Sequence, residues 1–133
     1  MRMGLYHKSK SVIALASSTR TDGTVNGTTV DRYQATAGEY RTVLFVVTTG
    51  TITDGSHAFA VQESDDDTTW TAAAADAVQG TAPTITNTDS DAVFDVGYVG
   101  VKRYARIVAV TTGATSGGVF SGAAVLYGTR RDR

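Results

Sequence analysis

The chain has no cysteine, and its only proline is Pro83. Without cysteine there is no disulfide framework, no thiolate metal site and no thiol nucleophile. No apolar run approaches the roughly 18 residues that span a bilayer. The stretch Val12-Ile13-Ala14-Leu15-Ala16 is only strand-sized, and the charged start Met1-Arg2-Met3 leads into Tyr6-His7-Lys8 rather than a hydrophobic leader core. The expectation is a soluble chain with no export or anchoring signal. No sustained helical period with caps occurs; the best candidate, residues 71–78, is too short to stand alone and reads as a loop or a turn of helix.

What is abundant points to sheet. The chain of 133 residues holds 22 threonines and 14 glycines, types that suit pleated surfaces and the turns between strands. Strands are expected at Ser11–Ser17, Val30–Ala35, Val43–Val47, Ala58–Glu63, Thr68–Thr71, Pro83–Thr86, Ala92–Val96, Arg106–Thr111 and Val119–Leu126. That makes about eight or nine, as in a β-sandwich or jelly roll. The length is that of one domain. Residues 1–28 read as an N-terminal arm with a first strand, 29–128 as the sandwich body and 129–133 as a basic tail. The Gly- and Thr-rich stretch Thr19–Thr29 separates arm from body, with Asp22-Gly23 and Asn26-Gly27 as turns.

A weak repeat recurs at an offset of 63 residues, where Val46-Val47-Thr48-Thr49-Gly50 is matched by Ala109-Val110-Thr111-Thr112-Gly113. Each copy reads as an apolar strand, a Gly-bounded loop and a return strand, hence a β-hairpin, and the two copies fit a sandwich in which each contributes two strands, one to each sheet. The near-continuous apolar run Val43–Val47 suggests burial on both faces, at a sheet centre or an interface.

Charge is segregated although the net charge is only −1. Residues 42–101 contain no Lys or Arg and nine acids, while both ends are basic. One reading is that acids mark turns. The other is that the basic ends, through Arg2, Lys8, Lys10, Lys102, Arg103, Arg130, Arg131 and Arg133, contact an acidic partner surface or a neighbouring copy. The acidic middle disfavours nucleic acid.

Chemistry finds little purchase. His7 and His57 sit in no nucleophile or metal motif, and His57 is expected at the surface. No Gly-x-Ser-x-Gly elbow occurs. Asp65, Asp66 and Asp67 offer oxygen ligands for a hard cation but lack the spacing of a calcium loop. They read as a tight turn, with Trp70 packing back onto the core. No catalytic residue and no cofactor is expected.

Two strings carry a resemblance. Gln62-Glu63-Ser64-Asp65-Asp66-Asp67-Thr68-Thr69-Trp70 and Val96-Gly97-Tyr98-Val99-Gly100-Val101-Lys102-Arg103-Tyr104-Ala105-Arg106 resemble a group of small tailed-phage and prophage virion proteins. The resemblance spans residues 40–128, with Asp67 where a glycine is common. It implies a capsid decoration (cement) protein bound to the outside of the shell. It also implies the major capsid protein as partner, a homo-oligomer (dimer or trimer) or contacts between neighbouring copies, and a place in the virion after assembly in the host cytoplasm. A tail, neck or head-spike component is the alternative within that class. A carbohydrate-binding β-sandwich module using Trp70, or a sugar hydrolase, is the alternative outside it.

Overall fold

The computed structural model describes residues 4–34 and 38–129. It is all-β, a sandwich of two antiparallel sheets. After a single helical turn, α1 (Leu5–Lys8), come β1 (Ser9–Arg20), β2 (Gly23–Asn26), β3 (Val30–Asp31) and β4 (Tyr33–Gln34). The long strands β5 (Gly38–Ile52) and β6 (Ser56–Ser64) follow, then β7 (Thr71–Ala72), β8 (Val78–Gln79), β9 (Thr84–Ile85) and β10 (Val93–Tyr98). The chain closes with β11 (Tyr104–Thr112) and β12 (Gly118–Thr129). Sheet A runs β1-β12-β5-β10-β8 with β4 on β5; sheet B runs β2-β11-β6-β7 with β3 on β11 and β9 on β6.

The core lies between the sheets. On β5, Val43, Phe45 and Val47 point inward and are buried. They meet Ile107, Ala109, Phe59 and Val61 of sheet B and share the interior with Tyr98, Phe120, Ile85 and Leu126. Burying a side chain such as Phe45 contributes about 2–3 kcal/mol. On β1, Ala14 and Leu15 are both buried although adjacent, because the register with β12 shifts on either side of Leu15; a bulge lets consecutive residues face the same way.

Each repeat unit does place one strand in each sheet, as expected, but its two strands do not pair as a hairpin. β5 pairs with β12 and β10, and β11 pairs with β6, β2 and β3. Each strand–loop–strand unit is an arch that crosses between sheets, and each unit's first strand pairs with the other's second. The sequence repeat is also out of phase. Val43 is buried in the core, whereas Arg106, its equivalent at the offset, lies outside it against Gln62. A displacement of one residue reverses the faces. Gly50 therefore lies within β5, while Gly113 sits in a turn at φ +68°.

Other elements differ in bounds. The described residues form twelve strands, several of two residues. The expected strand Thr68–Thr71 is replaced by a turn and the short β7, and Val30–Ala35 is broken into β3 and β4 at Arg32, with Ala35 outside the described residues. The stretch read as an arm and linker is woven into the body: β1 pairs along β12, and β2 pairs with β11. The Asp22-Gly23 turn holds, with Gly23 at φ +139°.

Candidate interaction surface

The two resembling strings converge at one corner of the sandwich, where the end of β10 meets β6 and β11. Tyr98, at the end of β10, is fully buried, and its Oη donates to Glu63 Oε1 (2.7 Å) and accepts from the Lys102 N–H (3.2 Å). Burial, reinforced by the Glu63 carboxylate, pushes the phenol well above its ordinary pKa. The bend between β10 and β11 folds over the ring tip. A Cβ on Gly100 would stand 2.5 Å from Tyr98 Oη, so the bend needs glycine there. Lys102 Nζ then reaches Asp65 Oδ2 (2.6 Å), and Arg106 Nε donates to Gln62 Oε1 (2.9 Å). The Arg106 guanidinium also lies over the Trp70 ring, 4.2 Å from its centroid. Trp70 is thus half-buried beneath an arginine rather than packed into the core as expected.

The acidic turn is tied inside the fold. Asp66 Oδ1 accepts from the Thr68 and Thr69 N–H groups and from Ser64 Oγ. Those donors, Thr69 first, hold its carboxyl below the usual carboxylate range. Asp67 adopts φ +61° and accepts from Thr29 Oγ1 (2.6 Å). Each of the three carboxylates therefore has a different partner. Among the described residues no group of His, Asp or Glu is placed to hold a metal ion.

At one end of the sandwich the two arch loops bind each other. Asp54 Oδ1 accepts from the backbone N–H groups of Gly117, Ser116 and Thr115, which hold its carboxyl below the usual range. Asp22 Oδ1 accepts from Ala114 N–H (2.7 Å). Beneath them, His57 is 0% exposed, contrary to the expected surface position. Its Nδ1 lies 2.8 Å from Thr111 Oγ1, its Nε2 lies 3.1 Å from the Asp54 carbonyl, and its ring meets Phe120 edge-on. Both ring nitrogens are satisfied, which is what lets a histidine enter a core.

Of the basic residues singled out for partner contact, Lys102 is engaged by Asp65. Arg103 makes a two-pronged contact with Asp31 through Nε (2.9 Å) and Nη2 (2.8 Å). Lys8 lies in α1 and Lys10 is exposed on β1. Arg2, Arg130, Arg131 and Arg133 lie outside the described residues.

Sequence reasoning missed two features. Arg32 is a buried tether: its Nε donates to the Lys102 carbonyl (2.7 Å), its Nη1 to the Tyr40 carbonyl (2.7 Å), and its Nη2 lies 3.5 Å from Glu39 Oε1. The second is the outer face of sheet A. Strand register aligns Ser11, Val125, Leu44 and Gly97 in one row and Ile13, Ala123, Val46 and Asp95 in the next. A third row holds Ser121, Thr48 and Val93. Leu44 is 40% exposed, Ile13 61% and Val93 63%, so the Val43–Val47 run is buried on one face only. Asp95 is the only charged residue in these three rows. No protein-family model and no curated protein matches the chain.

Proposed function

We propose that this chain is a structural virion protein, a capsid decoration protein that binds the outer surface of a tailed-phage shell and stabilises it without catalysis. The observation that carries the reading is the convergence of the two resembling strings. Glu63, Asp65 and Trp70 of one meet Tyr98, Lys102 and Arg106 of the other. The strings therefore mark a shared folding unit rather than a scattered likeness. A rigid sandwich whose hydrogen-bonded loops are closed on themselves, with basic residues towards both chain ends, suits a part that adheres to a protein lattice.

Purified protein mixed with expanded shells that lack it is expected to co-sediment with them and raise their resistance to heat. Sedimentation with tails instead would transfer the proposal to a tail or neck component. The carbohydrate-binding reading is weaker, because one face of Trp70 is already covered by Arg106. Retention on immobilised glycans that is lost in Trp70→Ala would favour it over the shell.

A further inference from the structure

The outer face of sheet A joins large exposed apolar side chains to a near absence of charge. Depletion of charge with retained aliphatic and aromatic side chains is the compositional mark of an interface core. Its extent suits a weak contact. Three strands over about nine residues and the six-residue β10, spaced about 4.8 Å apart at about 3.3 Å per residue, cover about 500 Å². That is below a standard interface, about 800 Å² per partner, and in the range of weak, transient ones.

The margin carries a protrusion and a hollow side by side. Tyr6, on α1, is 88% exposed with its ring edge-on to His7. Beside it runs an apolar groove of about 290 Å³ lined by Leu5, Leu44, Val125, Tyr127, Gly97 and Gln79. A protrusion and a complementary hollow on one surface are what a twofold contact needs, since the axis brings each copy's protrusion to the other's hollow. The charge pattern points the same way. A face with the single acid Asp95 offers no pattern of charges for a complementary partner to read, and two copies can meet there with little repulsion. The outer face of sheet B lacks this character: it carries Arg106, Gln62 and Asn26, and Val110 is its only large exposed aliphatic residue.

We infer that the outer face of sheet A is a twofold interface between two copies of this chain, with Tyr6 of each copy seated in the other's groove. The face and its anchor are argued from the geometry alone; they give a location to the contact between copies that the virion resemblance implies, and the test below does not depend on that resemblance.

Sedimentation equilibrium of the purified full chain is expected to show a dimer at concentrations up to about 100 μM, where an interface of this size is populated. Tyr6→Ala, an exposed change that leaves the fold alone, is expected to weaken the dimer by about tenfold or more, as loss of a seated aromatic anchor does. Leu44→Arg is expected to be monomeric with an unchanged far-ultraviolet circular dichroism spectrum, and Val110→Arg on sheet B to stay dimeric. Because the chain has no cysteine, Tyr6→Cys and Gln79→Cys chains can be mixed and treated with a short bis-maleimide. A cross-linked pair between the two variants is expected. A wild-type monomer, a dimer indifferent to both Tyr6→Ala and Leu44→Arg, or a dimer broken by Val110→Arg would overturn the inference. If Leu44→Arg fails to fold, the cross-link decides, and its absence from a dimeric mixture refutes the arrangement.

Discussion

Arg32→Met isolates what a buried guanidinium does for this fold. The Arg32 side chain is only 4% exposed, and its donors reach the carbonyls of Lys102 and Tyr40. Its own backbone adds to the same junction: Arg32 N–H donates to the Arg103 carbonyl, and the Arg32 carbonyl accepts from Tyr40 N–H. The residue therefore ties the break between β3 and β4 to the β10–β11 bend and to the start of β5. Methionine keeps most of the aliphatic volume, so the cavity contribution is small. What remains is two carbonyls stripped of their donors at about 1–3 kcal/mol each, a loss of about 2–6 kcal/mol. Glu39 offsets little of this charge, since it is partly exposed and its contact with Arg32 is long.

The assay is urea unfolding followed by circular dichroism, compared across Arg32→Met, Arg32→Lys and Arg32→Ala. At about 4 °C per kcal/mol for a domain of this size, the methionine variant should also melt about 8–24 °C lower. Lysine keeps the charge but cannot reach both carbonyls from one ammonium, so it should fall between wild type and methionine. Alanine adds lost packing and should be worst. If Arg32→Met lies within about 0.5 kcal/mol of wild type, the range of ordinary surface changes, the carbonyls are not held by Arg32 and the reasoning fails.

Other expectations follow from the same geometry. Gly100→Ala should destabilise by about 1–3 kcal/mol, as overpacking does, because its Cβ would collide with the Tyr98 phenol; an unchanged urea midpoint would contradict this. Asp67, at φ +61°, should tolerate glycine almost neutrally, since relief of left-handed strain offsets loss of the Thr29 contact. Asp67→Ala should cost about 1–2 kcal/mol, and equal midpoints for the two variants would refute the account. The carboxyls of Asp31, held by Arg103, of Asp54, held by the Gly117 N–H, and of Asp66, held by the Thr69 N–H, all have lowered pKa values. A depressed folded pKa contributes stability that is present above the unfolded value of about 4 and lost as pH falls through the folded value. Melting temperature should therefore drop below about pH 4, and less steeply in Asp54→Asn; a flat wild-type profile from neutral to strongly acid pH would count against it.

The strands were legible because β-branched residues and alternation speak locally. Val43, Phe45 and Val47 announced a core strand, and Val93–Tyr98 was anticipated nearly in place. The pairing was not legible. A hairpin and an arch have the same local pattern, strand, short glycine-bounded loop, strand; they differ in whether the two strands bond to each other or face each other across a core. That choice is made by β11 and β12, each of which lies 40 residues or more along the chain from the strand it pairs with. His57 was misread for a similar reason. Its burial depends on Thr111, 54 residues away, and on the carbonyl of Asp54, and neither partner is marked in the residues around it.

The charge segregation of the sequence changes meaning once the fold is known. A sixty-residue block without Lys or Arg reads as a continuous acidic surface, yet several of its acids are spent internally. Asp54 and Asp66 hold backbone N–H groups, and Asp65 holds Lys102 from the basic end. Asp31, outside the block, takes Arg103 in the same way. These two ion pairs are exposed, and such pairs contribute about 1 kcal/mol or less, so a partner rich in carboxylates would lose little by displacing them. Lys102 and Arg103 therefore remain usable for binding but cannot set its specificity, because each begins with an acid already in place. In the twofold contact proposed above, specificity falls instead to a surface that the fold leaves without an internal partner, the rows of sheet A around Leu44 in which Asp95 is the one charge. The charge pattern directs attention to the chain ends; the register of β1, β12, β5 and β10 directs it to the middle of a sheet.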